Sequence, residues 1–477
     1  MSSAEAQVRE SVALEHGPAA DLIRGLGPWQ ATAVVVSTII GTGVFLVAAP
    51  MARAAGSTGL VMAAWLIGTV IALSGMLCFA ELGAAIPDAG GLFAYLTRGL
   101  GPVWGFLVGW TESLLGSPVA FATLAAGFMA FVGFLRPGLD AAQFSWHWGG
   151  HVFTVAATRP MAAMLIVALV AVNCLQVWVG GGIQLLMGSL KVAAILSIIA
   201  VGALVAGPPV AAATPVLRPA PVGGILALLG ALVPVMWAYN GFQMLGNLGA
   251  EIREPGKNIP RALLCGVLIV SVLYVLVNVT YFHVLSFNRV ARSSAVASEV
   301  VRSILGARAA GWLTLAMCVS ALASLHGVIM QGARVPYAMA HRGLFLGFTG
   351  RVHPRLHSPV GALLFQGALG ALVALTGSFE QLFSLYIFVM WIFAGLGALA
   401  LIRLRVSAPD LPRPYRAFGY PFTPLLFAVA SLALTASLLW ERPVRSSIGL
   451  AVILAGLPFY RFWRSRSRGA SPLAVGA

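Results

Sequence analysis

Residues 34–50 read VVVSTIIGTGVFLVAAP, an apolar run broken at its centre by Gly41-Thr42-Gly43. Such a segment is long enough to enter a bilayer as a helix, but glycine weakens a helix at its middle. A backbone that leaves the helix at membrane depth needs its amides and carbonyls satisfied by protein or by a water-lined cavity. The break therefore predicts a cavity. The half-helix that resumes after it offers free N–H groups and a positive dipole end, which suit a carboxylate. Residues 225–248 repeat the pattern, apolar but interrupted by Asn240-Gly241 and then Gly246. Two interrupted spans in corresponding halves of a chain point to the binding site of a secondary transporter.

Composition places these runs in lipid. Of 477 residues, 59% are hydrophobic and 9% charged, with a mean hydropathy of +0.92, whereas a soluble domain carries about 25% charged residues. The chain reads as an all-α polytopic membrane protein. Residues 1–28 hold Glu5, Arg9, Glu10, Glu15, Asp21 and Arg24 with no compact apolar run before a cleavage site. No cleavable signal is therefore expected, and the first span serves as the insertion signal. The net charge of +15 does not indicate nucleic-acid binding, because the basic residues sit at the ends of apolar runs rather than on one face. Cys78, Cys174, Cys265 and Cys318 all fall inside apolar runs without metal-type spacing. They read as small buried hydrophobes, with no metal, cofactor or disulfide expected.

A bilayer core takes about 20 apolar residues per helix. By that measure twelve spans fall near 30–52, 59–86, 101–134, 160–180, 183–206, 224–249, 262–286, 310–340, 358–376, 380–402, 420–440 and 447–463. With the N-terminus inside, the larger share of arginines and lysines lies in cytoplasmic loops, which predicts both termini in the cytoplasm. The outer loop 287–309 runs against this bias with Arg289, Arg292, Arg302 and Arg308, and is expected to form a short surface helix. In the outer loop 136–159, Trp146, His147, Trp148 and His151 read as an interfacial belt rather than a metal site. Residues 87–102, PDAGGLFAYLTRGLGP, read as an inner loop with a short amphipathic helix on the membrane surface. The basic tail after Arg461 is expected near anionic lipid. Breaks in spans one and six suggest two five-span repeats. Five is odd, so the second repeat enters from the opposite side and is inverted. The expected divisions are an N-terminal segment 1–28, repeat one 29–206, repeat two 207–403, two further spans and their preceding loop 404–463, and a tail 464–477.

Four stretches carry a resemblance over nearly the whole chain. They are residues 40–45 (IGTGVF), 80–95 (AELGAAIPDAGGLFAY), 237–241 with 249–262 (GAEIREPGKNIPRA), and 403–421 with RPYRAFGYP. In this order and spacing they resemble the amino acid–polyamine–organocation transporters, and among them bacterial amino acid permeases and L-type amino acid exchangers. The resemblance implies a LeuT-type fold of twelve spans with a five-plus-five inverted repeat. It implies alternating access in a cell membrane of bacterial type. An amino acid would bind between spans one and six, with contributions from spans three, eight and ten.

At the first break, Gly41, Thr42 and Gly43 would offer N–H groups to the substrate carboxylate, with Thr38 and Ile39 one turn earlier. The competing reading is glycine used only for close helix packing. Thr38 could equally bond its own backbone. Trp237 aligns with the family's aromatic gate, although an aromatic on an apolar helix is usually core or a lipid anchor. Carbonyls from Trp237 through Ala238 to Tyr239 end the first half of span six and suit an ammonium group. Asn240 stands where many L-type exchangers have glycine, and Gln243 where some cation-selective relatives have glutamate. Asn240 and Trp237 point to a small or medium neutral substrate, and Gln243 argues against an arginine-like one.

Lys191, the only lysine inside a span, lies about 12 Å into the membrane at 1.5 Å per residue, so a partner or cavity is expected. It resembles the lysine of span five in sodium-independent exchangers, whose amine takes the place of a sodium ion and links spans one, five and eight. The bland alternative is a structural lysine bonded to carbonyls. Ser320 and Ser324 would bond to it. Glu112 falls near mid-membrane as either a proton carrier or a structural acceptor. Glu81 reads as structural, and Glu251 likewise with Arg253 and Arg261 nearby. His326, where relatives carry asparagine, reads as a satisfied packing residue.

The leading reading is a sodium-independent exchanger or facilitator of amino acids. The alternative is a proton-coupled permease for amino acids or polyamine-type cations, in which Glu112 or Lys191 titrates. A channel would show charge rings or filter repeats, and an enzyme would need a catalytic cluster; neither pattern is present in the sequence. The outer-loop cysteine that holds a heavy subunit in eukaryotic L-type relatives is absent from 136–159, so no disulfide-linked partner is expected.

Overall fold

A computed structural model describes residues 26–87, 91–139, 143–148, 151–175, 181–205, 224–356 and 358–469. Span one is α1 (Pro28–Ile39), a break, then α2 (Gly43–Leu46) and α3 (Ala48–Ala55), joined through Val47 in helical geometry. Span two is α4 (Thr58–Ala85), followed by the short helix α5 (Gly91–Gly99). Span three is α6 (Pro102–Thr111), a π-helical turn Glu112–Gly116 and α7 (Ser117–Leu135). A hairpin of β1 (Gln143–Trp148) and β2 (His151–Ala156) leads to α8 (Thr158–Cys174) and α9 (Gly181–Gly202), spans four and five. Span six is α10 (Gly224–Tyr239) with a 3-10 stretch, Phe242–Glu251.

Span seven is α11 (Pro255–Val284), after which α12 (Phe287–Arg292) leads into α13 (Val296–Gly332). The latter kinks at Gly306 and continues into α14 (Arg334–His341) as span eight. Spans nine to twelve are α15 (Val360–Ala374), α16 (Phe379–Ser407), α17 (Phe422–Glu441) and α18 (Pro443–Gly469). Among the described residues nine helices are long and apolar enough to cross a membrane. Three shorter apolar helices stand where the sequence places spans four, five and nine.

The packing pattern is unchanged when the first five spans are exchanged for the second five. Span one packs on span seven as six packs on two, and five packs on eight as ten packs on three. Five meets one as ten meets six, while the pairs two–seven, three–eight and four–nine map onto themselves. This is the inverted five-plus-five arrangement of the LeuT-type fold, with the two broken spans at its centre.

Local chemistry sets the ends of the elements. Gln30 reaches back to accept from the Gly27 N–H (3.0 Å) beside Pro28, fixing the start of span one. Gly56, at φ 72°, ends α3, and Ser57 caps α4 by accepting from the Leu60 N–H (3.3 Å).

The π turn of span three follows from Pro118. The Ser117 N–H reaches back five residues to the Glu112 carbonyl. The Ser113 carbonyl, five before proline, finds no backbone donor in that register. It accepts instead from the Gln366 amide (3.3 Å) of span nine. Such turns often occupy functional sites.

The structure departs from the sequence expectations at four places. Helix α5 does not lie on the membrane surface: Tyr95 and Leu96 are buried, and the helix packs against α6, α16 and the 3-10 stretch. Its apolar face is covered by the protein rather than by lipid. Cys265 is exposed, while the other three cysteines are buried. It shares the outer face of α11 with the exposed Leu264, Leu268 and Ile269, where an apolar residue needs no protein partner in lipid. Within the outer loop 136–159, residues 143–148 pair with 151–156 as antiparallel strands, which the loop reading did not include. In 287–309 there are two helical pieces, α12 and the start of α13. The side chain of Glu251 lies outside the described residues.

Candidate functional site

The backbone at the first break explains why a cation is held beside it. The Gly41 N–H bonds to the Ile39 carbonyl (2.8 Å) rather than to that of Ser37 four residues back. The freed Ser37 carbonyl accepts from Lys191 Nζ of span five at 3.0 Å. Lys191 also donates to Ser324 Oγ of span eight at 2.7 Å, and Ser324 donates to the Ser320 carbonyl at 3.0 Å. Lys191 is 4% exposed, so its charge is stabilised by these oxygens alone among the described groups. The lysine thus links spans one, five and eight. Ser320 contributes its carbonyl, through Ser324, rather than its hydroxyl.

The two breaks touch reciprocally. A Cβ on Gly43 would stand 3.0 Å from Ala238 Cα, and one on Gly241 would stand 2.9 Å from the Thr38 carbonyl oxygen. Gly241 also has φ 125°, a conformation that favours glycine. Close packing therefore demands Gly43 and Gly241. Gly41 differs, because its added Cβ would meet only Leu124, at 3.9 Å. Behind the crossing, the Tyr274 hydroxyl lies 3.2 Å from the Ile39 carbonyl and 3.1 Å from that of Ala238. One side chain of span seven thereby ties together the ends of both first half-helices.

A cavity of about 170 Å³ opens at this crossing, with Thr38, Ile39, Gly41, Thr42, Gly43, Trp237 and Asn240 in its wall. The N–H groups of the first turn beginning at Gly43 have no intrahelical acceptor, so the wall supplies donors and a positive dipole end for a carboxylate. Thr42 Oγ1 is buried there without a partner among the described residues. Ala238 and Tyr239 are not part of this wall. Tyr239 turns its ring into the core against Trp65 and Tyr274, with its hydroxyl 2.7 Å from Thr69 Oγ1.

Spans three and ten complete the cavity. Glu112 of the π turn and Ser117 at the start of α7 line it, as do Tyr386 and Met390. A polar chain crosses from span six to span ten. Gln243 Nε2 donates to Asn240 Oδ1 (2.8 Å), and Asn240 Nδ2 donates to the Tyr386 hydroxyl (3.2 Å). Ser117 donates to Glu112 Oε1 (2.6 Å), while Glu112 Oε2 is buried with no partner among the described residues. Trp237 roofs the cavity, stacked on Phe383 (6.3 Å between centroids) and edge-on to Phe379 and Tyr386. The opposite wall extends to Leu92 and Phe93 of α5, to Met244 and to Val335.

Sequence reasoning did not anticipate Leu92, Phe93, Gln331 or Tyr386 in this wall. The signal for Tyr386 was a tyrosine in a largely apolar span, which reads equally as core. His326 lies apart from the cavity wall, its Nδ1 3.0 Å from Asn173 Nδ2 and its Nε2 buried without a partner among the described residues.

Comparison with known proteins points the same way. A family described as amino acid permease matches residues 26–463. The serine/threonine exchanger SteT of Bacillus subtilis is 29% identical over 449 residues, covering 93% of this chain and 98% of that protein. The large neutral amino acids transporter small subunit 2 of Rattus norvegicus is 30% identical over 460 residues, 94% of this chain and 83% of that protein. The human cystine/glutamate transporter is 28% identical over 443 residues, 92% and 84% respectively.

Proposed function

The chain belongs to the amino acid permease family, and on that premise we propose that it exchanges small or medium neutral amino acids across a cell membrane without sodium. That it is a multi-pass amino acid transporter follows from the family; the coupling, the substrate and the roles below are the proposal. One observation carries it: Lys191 Nζ sits on the Ser37 carbonyl freed by the first break and on Ser324 Oγ. A fixed ammonium at that point supplies the positive charge that would otherwise call for a bound cation. The substrate carboxylate takes the N–H groups after Gly41, and its ammonium sits at the negative dipole ends of the two first half-helices, near Thr38 and Trp237. Trp237 is the lid on one side. Asn240, Gln243 and Tyr386 meet the side chain, which favours one that is short and neutral. Both termini are assigned to the cytoplasm, the side of α5, by the arginine bias of the loops. No heavy subunit is assigned.

The test is uptake of labelled neutral amino acids into proteoliposomes in sodium-free buffer, empty or preloaded with unlabelled substrate. The expected outcome is uptake only into preloaded vesicles, indifferent to added sodium and to a proton gradient. A second reading, a proton-coupled permease, is favoured by one feature: Glu112 lines the cavity with Oε2 buried and unpartnered among the described residues. In that reading the coupled proton rides on Glu112. Gradient-driven uptake into empty vesicles, abolished by Glu112→Gln, would replace the exchanger with this permease. Unchanged exchange by Glu112→Gln would leave Glu112 as a structural acceptor for Ser117.

A further inference from the structure

The last turns of α18 carry Arg461 and Arg464 one helical turn apart, with Tyr460 and Ser465 adjacent. These residues, together with Leu457 and Val103 of α6, line a groove on the flank of the molecule. Among the described residues no aspartate or glutamate is in its wall. Among the described residues Arg461 and Arg464 form no ion pair, and the Arg464 guanidinium lies 5.7 Å from the centre of the Tyr460 ring. The groove runs from Leu457 to Arg464, about 10 Å at 1.5 Å per residue. Its deep end is aliphatic and its shallow end is cationic.

The groove has rigid walls. Tyr460 is 7% exposed and packs on Phe106 at 5.2 Å, and Phe459 stacks on Trp110 at 4.8 Å. Trp110 Nε1 donates to the Val452 carbonyl at 2.9 Å. A Cβ on Gly456 would stand 2.7 Å from Leu107 Cδ2, so α18 lies directly on α6. Ser465 is also in the wall, its hydroxyl donating to the Phe462 carbonyl at 2.8 Å.

We propose that this groove binds an anionic phospholipid, its phosphodiester on Arg461 and Arg464 and an acyl chain along Leu457 and Val103. A soluble anion would use the arginines but leave the aliphatic wall unoccupied, and a zwitterionic lipid would set a cationic headgroup against two guanidinium groups. α6 continues into the π turn that presents Glu112, and α18 packs against that same turn. Occupancy of the groove therefore braces one wall of the cavity.

The test uses the purified full-length protein in neutral detergent, reading the apparent Tm from tryptophan fluorescence. Added phosphatidylglycerol is compared with phosphatidylcholine and with inorganic phosphate alone. The variants are Arg461→Gln with Arg464→Gln, and Arg355→Gln as an exposed arginine outside the groove. Phosphatidylglycerol is expected to raise the Tm of the wild type and of the Arg355 variant, with most of that shift lost in the double variant. An equal shift with phosphatidylcholine, an equal shift with inorganic phosphate, or a full shift in the double variant would each overturn the proposal. Native mass spectrometry of the wild type supplies a mutation-free check: preferential retention of phosphatidylglycerol over phosphatidylcholine supports the site, and equal retention counts against it.

Discussion

The glycines at the breaks look alike in sequence but do different work, and substitution separates them. Gly43 and Gly241 lie where the two broken spans touch, and a methyl there would meet backbone at 3.0 Å and 2.9 Å. Gly241→Ala also forces a left-handed φ on a residue that resists it. Its expected cost is about 1–3 kcal/mol, read as lower expression and a lower apparent Tm. Gly41→Ala adds a methyl facing the cavity and Leu124 at 3.9 Å. Its expected effect is a several-fold rise in KM for exchange with little change in Tm. If Gly41→Ala unfolds the protein while leaving KM of the remainder unchanged, the assignment of Gly41 to the substrate wall is wrong. Close packing is thus carried by Gly43 and Gly241, and open space in the cavity wall by Gly41.

At the scale of elements, the RPYRAFGYP stretch acquires a physical reason. Arg413 donates to the carbonyls of Leu404, Ala408, Pro409 and Leu411 at 2.7–3.0 Å, closing the end of α16. Glu81, buried at the end of α4, accepts from Arg405 (2.8 Å) and from the Ala417 N–H (2.6 Å), and lies 3.7 Å from Arg413. Spans two and ten and the following loop are joined by this one carboxylate. Burial and the nearby Glu81 push the Tyr415 hydroxyl up from its ordinary value. Arg413→Ala leaves several carbonyls and part of a buried carboxylate unpartnered, a loss on the order of 3 kcal/mol. A drop in apparent Tm of several degrees is expected, with no change in substrate preference. Unaltered thermal stability would show that water replaces the guanidinium without penalty. The sequence marked Glu81 as structural; its partners, more than 300 positions away, were not legible there.

At the scale of the whole molecule, the cavity is closed on one side and extends toward α5 on the other. Above Trp237, Arg53 donates to Glu380 (2.8 Å) and to the Ala291 carbonyl (2.7 Å), and Arg442 donates to Glu380 (2.8 Å). These charges are a third to a half exposed, so the network is worth about 1 kcal/mol, roughly fivefold in a two-state equilibrium. Glu380→Ala is therefore expected to raise by several fold the rate at which an impermeant thiol reagent, applied from the Arg53 side, modifies a Met390→Cys variant, whose position lines the cavity. An unchanged rate would remove the network from the closure of that side. The sequence by itself determined the membrane class, the order of spans, both breaks and the lone buried lysine, because each is written in local apolar length, glycine position or charge scarcity. Only the tertiary structure decided that Gly43 meets Ala238, that Lys191 reaches the Ser37 carbonyl, that α5 turns inward to the cavity and that Tyr386 joins Asn240. Those are meetings between distant segments, set by how the two inverted repeats pack, and apolar periodicity is the same whether a helix face meets lipid or another helix.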